Sequence, residues 1–146
     1  MESSRFAGDT AWTMSEENVQ ALRDVMDAYN RGDKRAWTNL MDPELETVPV
    51  PEWPETGPFI GPDAAWDFYK QFEEMLALRE AYELTEVIDA GDSLFVCVEA
   101  PMRGQASAAE VGFKLLCVHT LRDGRFIRTQ WFSERSEALE AAGLSE

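Results

Sequence analysis

The chain has 146 residues, 45% of them hydrophobic, which suffices for one ordinary domain with a single buried core. Its 28 acidic and 13 basic residues give a net charge of −15, so phosphate backbones and anionic lipid surfaces would repel it. No apolar run approaches the roughly 20 residues of a membrane span. Nucleic acid and membrane partners are therefore not expected. The two cysteines and the lack of a secretory apolar segment predict a cytoplasmic protein.

The N-terminal segment predicts a tail followed by two helices. Residues 1–13 show no periodicity and are expected to be poorly ordered, so the predicted single domain covers residues 14–146. Ser15 can cap a helix in which apolar residues recur at helical spacing. We expect Gly32 to end that helix and Asp33 to cap a second, shorter one.

A first strand and a third helix are predicted next. The stretch ELETVPV places Leu45, Thr47 and Pro49 on one face of a strand, and the prolines that follow predict an edge position. Pro62 suits the first turn of a helix in which aromatic residues recur at steps of three and four. The helix is expected to end near Arg79.

The second half of the chain alternates with a period of two. The stretches YELTEVIDA, SLFVCVEAPM, AEVGFKLLCVHTL and RFIRTQWF predict four strands, the last two joined by a tight turn at Asp123 and Gly124. Ser133 can start a last helix. This order predicts an α+β domain in which a curved antiparallel sheet wraps three N-terminal helices.

Several segments resemble one known family. The stretches MSEENVQALRDVMDAYNRGDKRAW, PEWPETGPFIG, VIDAGDSLFV and HTLRDGRFIR are similar to the SnoaL-like branch of the nuclear transport factor 2-like (ketosteroid isomerase-like) superfamily, from Met14 to about Gly143. The resemblance implies a cone-shaped barrel with a mostly apolar pocket for a small apolar or polycyclic ligand. It also implies a homodimer through the outer face of the sheet. No cofactor is implied.

A two-residue turn at Asp123 and Gly124 sets the expected register of the last hairpin, in which paired residue numbers sum to 247. One face then carries three pairs, and the other carries the pairs Val118–Thr129 and Leu116–Trp131. We expect the first face to line the pocket, with the pairs His119–Arg128, Cys117–Gln130 and Leu115–Phe132. The outer face would carry Leu116, Val118, Ile127 and Trp131, which no helix is expected to cover.

The expected pocket face contains the only histidine of the chain. His119 is the first candidate for a general base, with Arg128 and Gln130 as orienting or anion-stabilising groups. Burial and the nearby cation predict that His119 is neutral at pH 7. Glu99 is a second candidate acid or base, and the alternative is that it points to solvent or pairs with Arg103.

A larger set of residues is expected to contact the ligand, and its members are aromatic, small or apolar side chains near the pocket. They are Trp37, Thr47, Pro49, Trp53, Trp66, Tyr69, Leu115, Cys117 and Phe132. Trp53 lies in a proline-rich loop and is interpreted as a lid. Cys97 and Cys117 are expected opposite each other, where they form a disulfide, bind a metal or act as small hydrophobic residues. Their spacing favours the last, so no metal is predicted.

The resemblance leaves the function open among three hypotheses. In ketosteroid isomerases a carboxylate base works with a tyrosine and a protonated acid. The corresponding positions here hold Thr47 or Pro49, Val25 and Cys117, which cannot fill those roles. The first hypothesis is a small-molecule pocket protein. The alternatives are an isomerase, cyclase or hydrolase that uses His119 or Glu99 as base, and a structural dimer without chemistry.

Overall fold

The computed structural model describes residues 9–76, 82–101 and 112–144. Four helices and six strands lie in these ranges. They are α1 (Asp9–Asn30), α2 (Lys34–Asn39), β1 (Met41–Val48), β2 (Phe59–Ile60), α3 (Pro62–Leu76), β3 (Glu83–Asp89), β4 (Ser93–Pro101), β5 (Gly112–Arg122), β6 (Arg125–Phe132) and α4 (Arg135–Ala141). The predicted α+β class is confirmed.

The six strands form one curved, unclosed sheet in the order β2-β1-β6-β5-β4-β3. Neighbouring strands are antiparallel except β1 and β6, which run parallel, so the sheet is mixed rather than wholly antiparallel. The core joins α1, α2 and α3 to one face of this sheet, with Leu22, Trp37, Ala65, Val96 and Cys117 among its buried members. Because the sheet curves around these helices, the candidate site lies between the concave face of the sheet and the helices.

The N-terminal helix begins earlier than its sequence pattern predicts. Helix α1 starts at Asp9 instead of Ser15, so residues 9–13 of the expected tail are helical, whereas residues 1–8 lie outside the described ranges. The predicted cap of α2 is confirmed, since the Asp33 carboxylate accepts a hydrogen bond from the Ala36 backbone N–H at 3.1 Å.

Strand β1 is not the edge strand that the prolines predicted. It lies between β2 and β6, because the prolines of the loop start at Pro49, one residue after the strand has ended at Val48. The predicted face is confirmed: Leu45, Thr47 and Pro49 are all buried.

The β5–β6 hairpin has the predicted turn but a different register. Asp123 and Gly124 both have positive φ, 55° and 77°, as a tight two-residue turn requires. The pairing then slips by one residue beside Leu121, which faces Phe126, while Thr120 faces Arg128 and leaves Ile127 as an extra residue. This bulge reverses every face beyond it.

The bulge moves three predicted pocket residues to the outer face of the sheet. Arg128, Gln130 and Phe132 belong there, with Arg128 exposed and Phe132 packed in the cluster below α4. Thr129 and Trp131, which were expected outside, take their places on the pocket face as partners of His119 and Cys117.

The register of β4 and β5 also differs from the expected one by one residue. This difference places the two cysteines on opposite faces of the sheet and Glu99 on the outer face. Cys117 pairs with Val96, and Cys97 pairs with Leu116, so the cysteines lie on opposite faces and both are free and buried. Glu99 shares the outer face with Cys97, and its carboxylate lies 3.9 Å from the Lys114 ammonium. Glu99 is therefore not on the pocket face where it was predicted, and Arg103, its alternative predicted partner, lies outside the described residues.

The outer face of the sheet has its own small core under α4. Phe95 and Val118 from the sheet pack against Ala138, Leu139 and Ala142. The expectation that no helix covers this face is thus wrong, and Trp131 does not contribute to it. A homodimer through the rest of this face stays a prediction.

Candidate functional site

The concave side of the sheet and the three N-terminal helices surround a cavity of about 90 Å³. Its lining is almost wholly apolar and rich in aromatic rings. It comprises Val25, Met26, Tyr29, Trp37, Met41, Leu45, Val50, Phe68, Tyr69, Phe72, Tyr82, Val96, Val98, Leu115, Cys117, His119, Thr129 and Trp131. A volume of this size holds several water molecules or a small ligand.

Aromatic contacts hold the walls of the cavity in place. The Tyr69 ring packs edge to face with Trp37 and Trp131, at centroid distances of 6.3 Å and 5.8 Å. The Trp131 indole N–H also donates to the Tyr69 hydroxyl at 3.2 Å. Tyr69 therefore ties α3 to β6 across the cavity, and such ring pairs contribute about 0.5–1.5 kcal/mol each beyond their burial.

His119 forms the polar centre of the sheet wall. Its Nδ1 lies 2.8 Å from the Thr129 hydroxyl, and its Nε2 lies 3.4 Å from the Cys117 sulfur. The ring packs edge to face against Phe126 at 5.0 Å. These contacts fix the ring, and the hydroxyl of Thr129 can either donate to or accept from Nδ1.

Both titratable groups of this centre are uncharged at neutral pH. Burial lowers the pKa of His119 to about 4. The His119 residue is partly exposed, and its side chain lines the apolar cavity. Burial also raises the pKa of the Cys117 thiol well above its usual range, so Cys117 is a thiol and not a thiolate. The predicted neutral state of His119 agrees, but burial causes it, and Arg128 on the outer face plays no part.

A second polar group lies at the helical side of the cavity. The Tyr29 hydroxyl donates a short hydrogen bond to the Glu73 carboxylate, whose other oxygen lies 3.5 Å from the Lys70 ammonium. Burial, followed by the hydrogen bond to Glu73, raises the pKa of Tyr29 above its usual range, and burial and Glu73 do the same for Tyr82. Both phenols therefore stay protonated.

The predicted ligand-binding residues divide among the lining, the layer behind it and, for Phe132 alone, the outer face of the sheet. Trp37, Tyr69, Leu115 and Cys117 line the cavity, as does the candidate base His119.

The layer behind the lining holds the remaining predicted contacts on this side of the sheet. Trp66 packs against Trp37 at 5.2 Å, and Trp53 packs on Phe68 and Phe72 at 5.1 Å and 5.9 Å. Pro49 and Thr47 are buried without lining the cavity. The lid role of Trp53 stays a prediction.

Thr47 is an exception to the usual pairing of buried polar groups. Its fully buried hydroxyl lies near that of Tyr69 but has no hydrogen bond of ordinary geometry with any residue in the described ranges. It leaves one unpaired polar atom behind the aromatic wall.

The three other predicted catalytic residues do not join His119. Gln130 and Arg128 lie on the outer face, where the Arg128 guanidinium is 3.3 Å from the Glu46 carboxylate. Glu99 pairs with Lys114 on that same face. His119 is thus held by Thr129 and Cys117 instead of the predicted partners.

Sequence reasoning missed Thr129, Trp131, Tyr29 and Glu73. The first two follow from the bulge, which leaves no mark in the sequence. Glu73 could have been found, because it lies four residues after Tyr69 and therefore on the aromatic face of α3. A carboxylate within an aromatic stripe is a signal for a polar group beside a pocket.

The described part of the chain contains neither a metal-binding group of side chains nor a membrane-spanning helix. Within it, no group of three or more His, Cys, Asp and Glu side chains is close enough to hold a metal ion. None of its helices combines the length and apolarity needed to cross a membrane.

Comparison with known proteins identifies relatives by sequence pattern and by fold. A model of the SnoaL-like domain family matches residues 22–129. A search of curated proteins gives no significant match. Bal32a from a soil-derived mobile gene cassette is 17% identical and covers 80% of this chain and 88% of its own, with a TM-score of 0.65.

Two further solved structures share the fold at a similar level. TerC, co-crystallised with polyporic acid, is 19% identical and covers 87% of this chain and 98% of its own, with a TM-score of 0.65. A protein from Jannaschia sp. CCS1, proposed to be a SnoaL-like polyketide cyclase, is 18% identical over 80% of this chain and 85% of its own, with a TM-score of 0.63. Identities this low establish the fold alone.

Proposed function

The chain belongs to the SnoaL-like domain family, and we propose that it binds a small apolar ligand, aromatic or polycyclic, in the cavity around His119. One observation carries this proposal: an aromatic cavity surrounds a single neutral imidazole that is fixed by Thr129. Ligand pockets are typically apolar with a few oriented polar groups, which is the composition found here. The fold neighbour TerC was crystallised with the small molecule polyporic acid, which supports a similar use of this cavity.

The chemistry of His119 favours binding over catalysis. A general base works best when its pKa lies near the working pH, and the pKa of His119 is about 4. At pH 7 the ring is a neutral hydrogen-bond partner and a weak base. Its Nε2, near the weakly bonding Cys117 sulfur, is the atom available to a ligand.

Binding of a neutral apolar dye tests this proposal. N-phenyl-1-naphthylamine is suitable because a net charge of −15 would repel anionic dyes. We expect saturable binding with increased dye fluorescence. Leu115→Trp fills the cavity and should weaken binding at least tenfold, whereas Leu116→Trp, one residue away on the outer face, should not. Absence of dye binding, or equal loss in both variants, would count against the proposal.

An acid–base enzyme is the second candidate function. The Thr129–His119 hydrogen bond favours it, because a base oriented by a third group is a common catalytic arrangement. The test is hydrogen–deuterium exchange of the acidic carbon protons of 2-tetralone in D₂O, followed by NMR. Exchange faster than in buffer that is lost in His119→Gln would support an enzyme, and exchange equal to buffer would contradict it.

The cellular location and the assembly of the protein belong to the same proposal. The two free, buried cysteines support a reducing, cytoplasmic environment. A homodimer through the outer sheet face is proposed as its assembly, and a dimer without chemistry or ligand is the third alternative.

A further inference from the structure

We propose that the Tyr29–Glu73 end of the cavity accepts hydrogen bonds but does not donate them, so that the pocket selects neutral ligands with a hydroxyl group at that end. The inference rests on the proposed function, since it requires a ligand in this cavity. It adds a specificity that is independent of His119.

The hydrogen-bond pattern of Tyr29 is the first step. A phenol has one proton to donate, and Tyr29 gives that proton to the Glu73 carboxylate. Tyr29 lines the cavity. Because its proton is already donated to Glu73, only the oxygen lone pairs of Tyr29 remain for a ligand. A ligand hydroxyl can donate to that oxygen, while a ligand carbonyl or ether finds no donor there.

Glu73 and Tyr82 make the same end of the cavity rich in acceptors. The Glu73 carboxylate pairs with the Lys70 ammonium, accepts a hydrogen bond from Tyr29 and lies next to Tyr82 as well. The Asn30 side chain holds Tyr82 in place, because its amide donates to the Tyr82 carbonyl and accepts from the Tyr82 N–H, both at 3.0 Å. Lys70, the one cation in contact with Glu73 among the described residues, does not line the cavity.

The acceptor end is separate from the His119 end. Tyr29 bonds Glu73, whereas His119 contacts Thr129, Cys117 and Phe126. The two groups share none of these partners, so each can be altered by its own substitution.

Charge adds to this selectivity. The Lys70 ammonium lies 4.7 Å from the centroid of the Tyr29 ring, but it pairs with Glu73 and does not line the cavity. A phenolate or carboxylate at this end would therefore meet the Glu73 carboxylate, and like charges would oppose binding. A neutral hydroxyl gains a hydrogen bond to an acceptor that is already polarised by a carboxylate. We therefore expect neutral hydroxyl ligands to be preferred over their apolar and ionised counterparts.

Two ligands of nearly equal size provide the test. The ratio of dissociation constants of 2-methylnaphthalene and 2-naphthol, measured by displacement of N-phenyl-1-naphthylamine at pH 7, reports the hydroxyl contribution. We expect Tyr29→Phe to lower this ratio about tenfold, because it removes the acceptor. Glu73→Gln should lower it too, by a smaller factor, because a neutral amide no longer polarises the phenol oxygen as the carboxylate does. The matched control is Glu74→Gln, which makes the same change at the exposed neighbouring position and should leave the ratio unchanged.

The outcomes separate this inference from the proposed function. Binding of both ligands with a ratio that neither Tyr29→Phe nor Glu73→Gln alters would overturn the selectivity and leave the pocket function intact. Binding of neither ligand, with no dye binding, would overturn the proposed function and this inference with it. If Tyr29→Phe does not fold, the ratio measured in Glu73→Gln is compared with that in Glu74→Gln, and equal ratios would overturn the selectivity.

Discussion

The Nδ1 of His119 lies 2.8 Å from the hydroxyl of Thr129, its direct partner on the neighbouring strand. Thr129 is buried, so this bond satisfies a polar group on each strand within the cavity wall. This contact engages Nδ1, so Nε2 is the nitrogen that remains for the proposed ligand.

Removal of this hydroxyl should destabilise the protein. Thr129→Val keeps the shape of the side chain and leaves Nδ1 of His119 without its partner, so we expect a loss of about 1–3 kcal/mol in the free energy of unfolding. Urea denaturation measures it. Thr120→Val, on the outer face of the same hairpin, is the matched control and should cost less. Equal losses in both variants would contradict the importance of the bond.

The lowered pKa of His119 predicts a specific dependence of stability on pH. Its folded-state pKa of about 4 lies below the roughly 6.5 of an unfolded chain. Protonation therefore favours unfolding. The contribution of His119 is fully present above pH 6.5 and is lost as the pH falls towards 4.

The size of this effect follows from the same two pKa values. Between pH 7.5 and 4.5 the wild type should lose roughly 2–3 kcal/mol more stability than His119→Gln. Urea titrations of both proteins at the two pH values measure the difference. Parallel losses in the two proteins would show that His119 titrates normally.

Substitutions at Arg128 and Gln130 should not affect ligand binding. Both side chains lie on the outer face, away from the cavity. We expect Arg128→Met and Gln130→Met to bind N-phenyl-1-naphthylamine with the wild-type affinity, within about twofold. A tenfold loss in either variant would instead support the register predicted from the turn alone, in which both side chains face the cavity.

The outer face also determines the expected assembly. Although α4 covers part of this face, Ile88, Leu116 and Phe132 remain only partly buried. A homodimer that uses them would remove apolar surface from water. Light scattering at micromolar concentration should give twice the mass of one chain, and the mass of a single chain would reject the dimer.

The first 13 residues should add little to stability. They carry no amphipathic pattern, although residues 9–13 extend α1 by more than one turn. A protein that starts at Met14 should melt within a few degrees of the full chain in a thermal scan. A much larger decrease would show that Phe6 or Trp12 packs on the domain.

The sequence predicted the elements of the fold well and their exact register poorly. The Asp33 cap, the start of α3 at Pro62 and the turn at Asp123 and Gly124 are local signals that residues carry themselves. The bulge at Ile127 is different, because it depends on how β6 fits β1 and the helices. Since side chains alternate with a period of two, that one residue exchanged Arg128 for Thr129 in the site.

The helical side of the site shows a second limit. The spacing of Trp66, Tyr69 and Glu73 on α3 could be read from the sequence, but the partner of Glu73 could not. Tyr29 lies 44 residues away on α1 and reaches Glu73 only through helix packing. Polar pairs of this kind follow from tertiary geometry and not from local patterns.

An NMR titration of the single histidine is the most direct test of the central claim, which is that His119 is a neutral, fixed group in a ligand-binding cavity. Its Cε1–H signal can be followed from pH 3 to pH 8, without and with 2-naphthol. We predict a pKa of about 4 and a change in chemical shift when the ligand is added. A pKa at or above the roughly 6.5 of a free histidine, with no response to the ligand, would contradict the account.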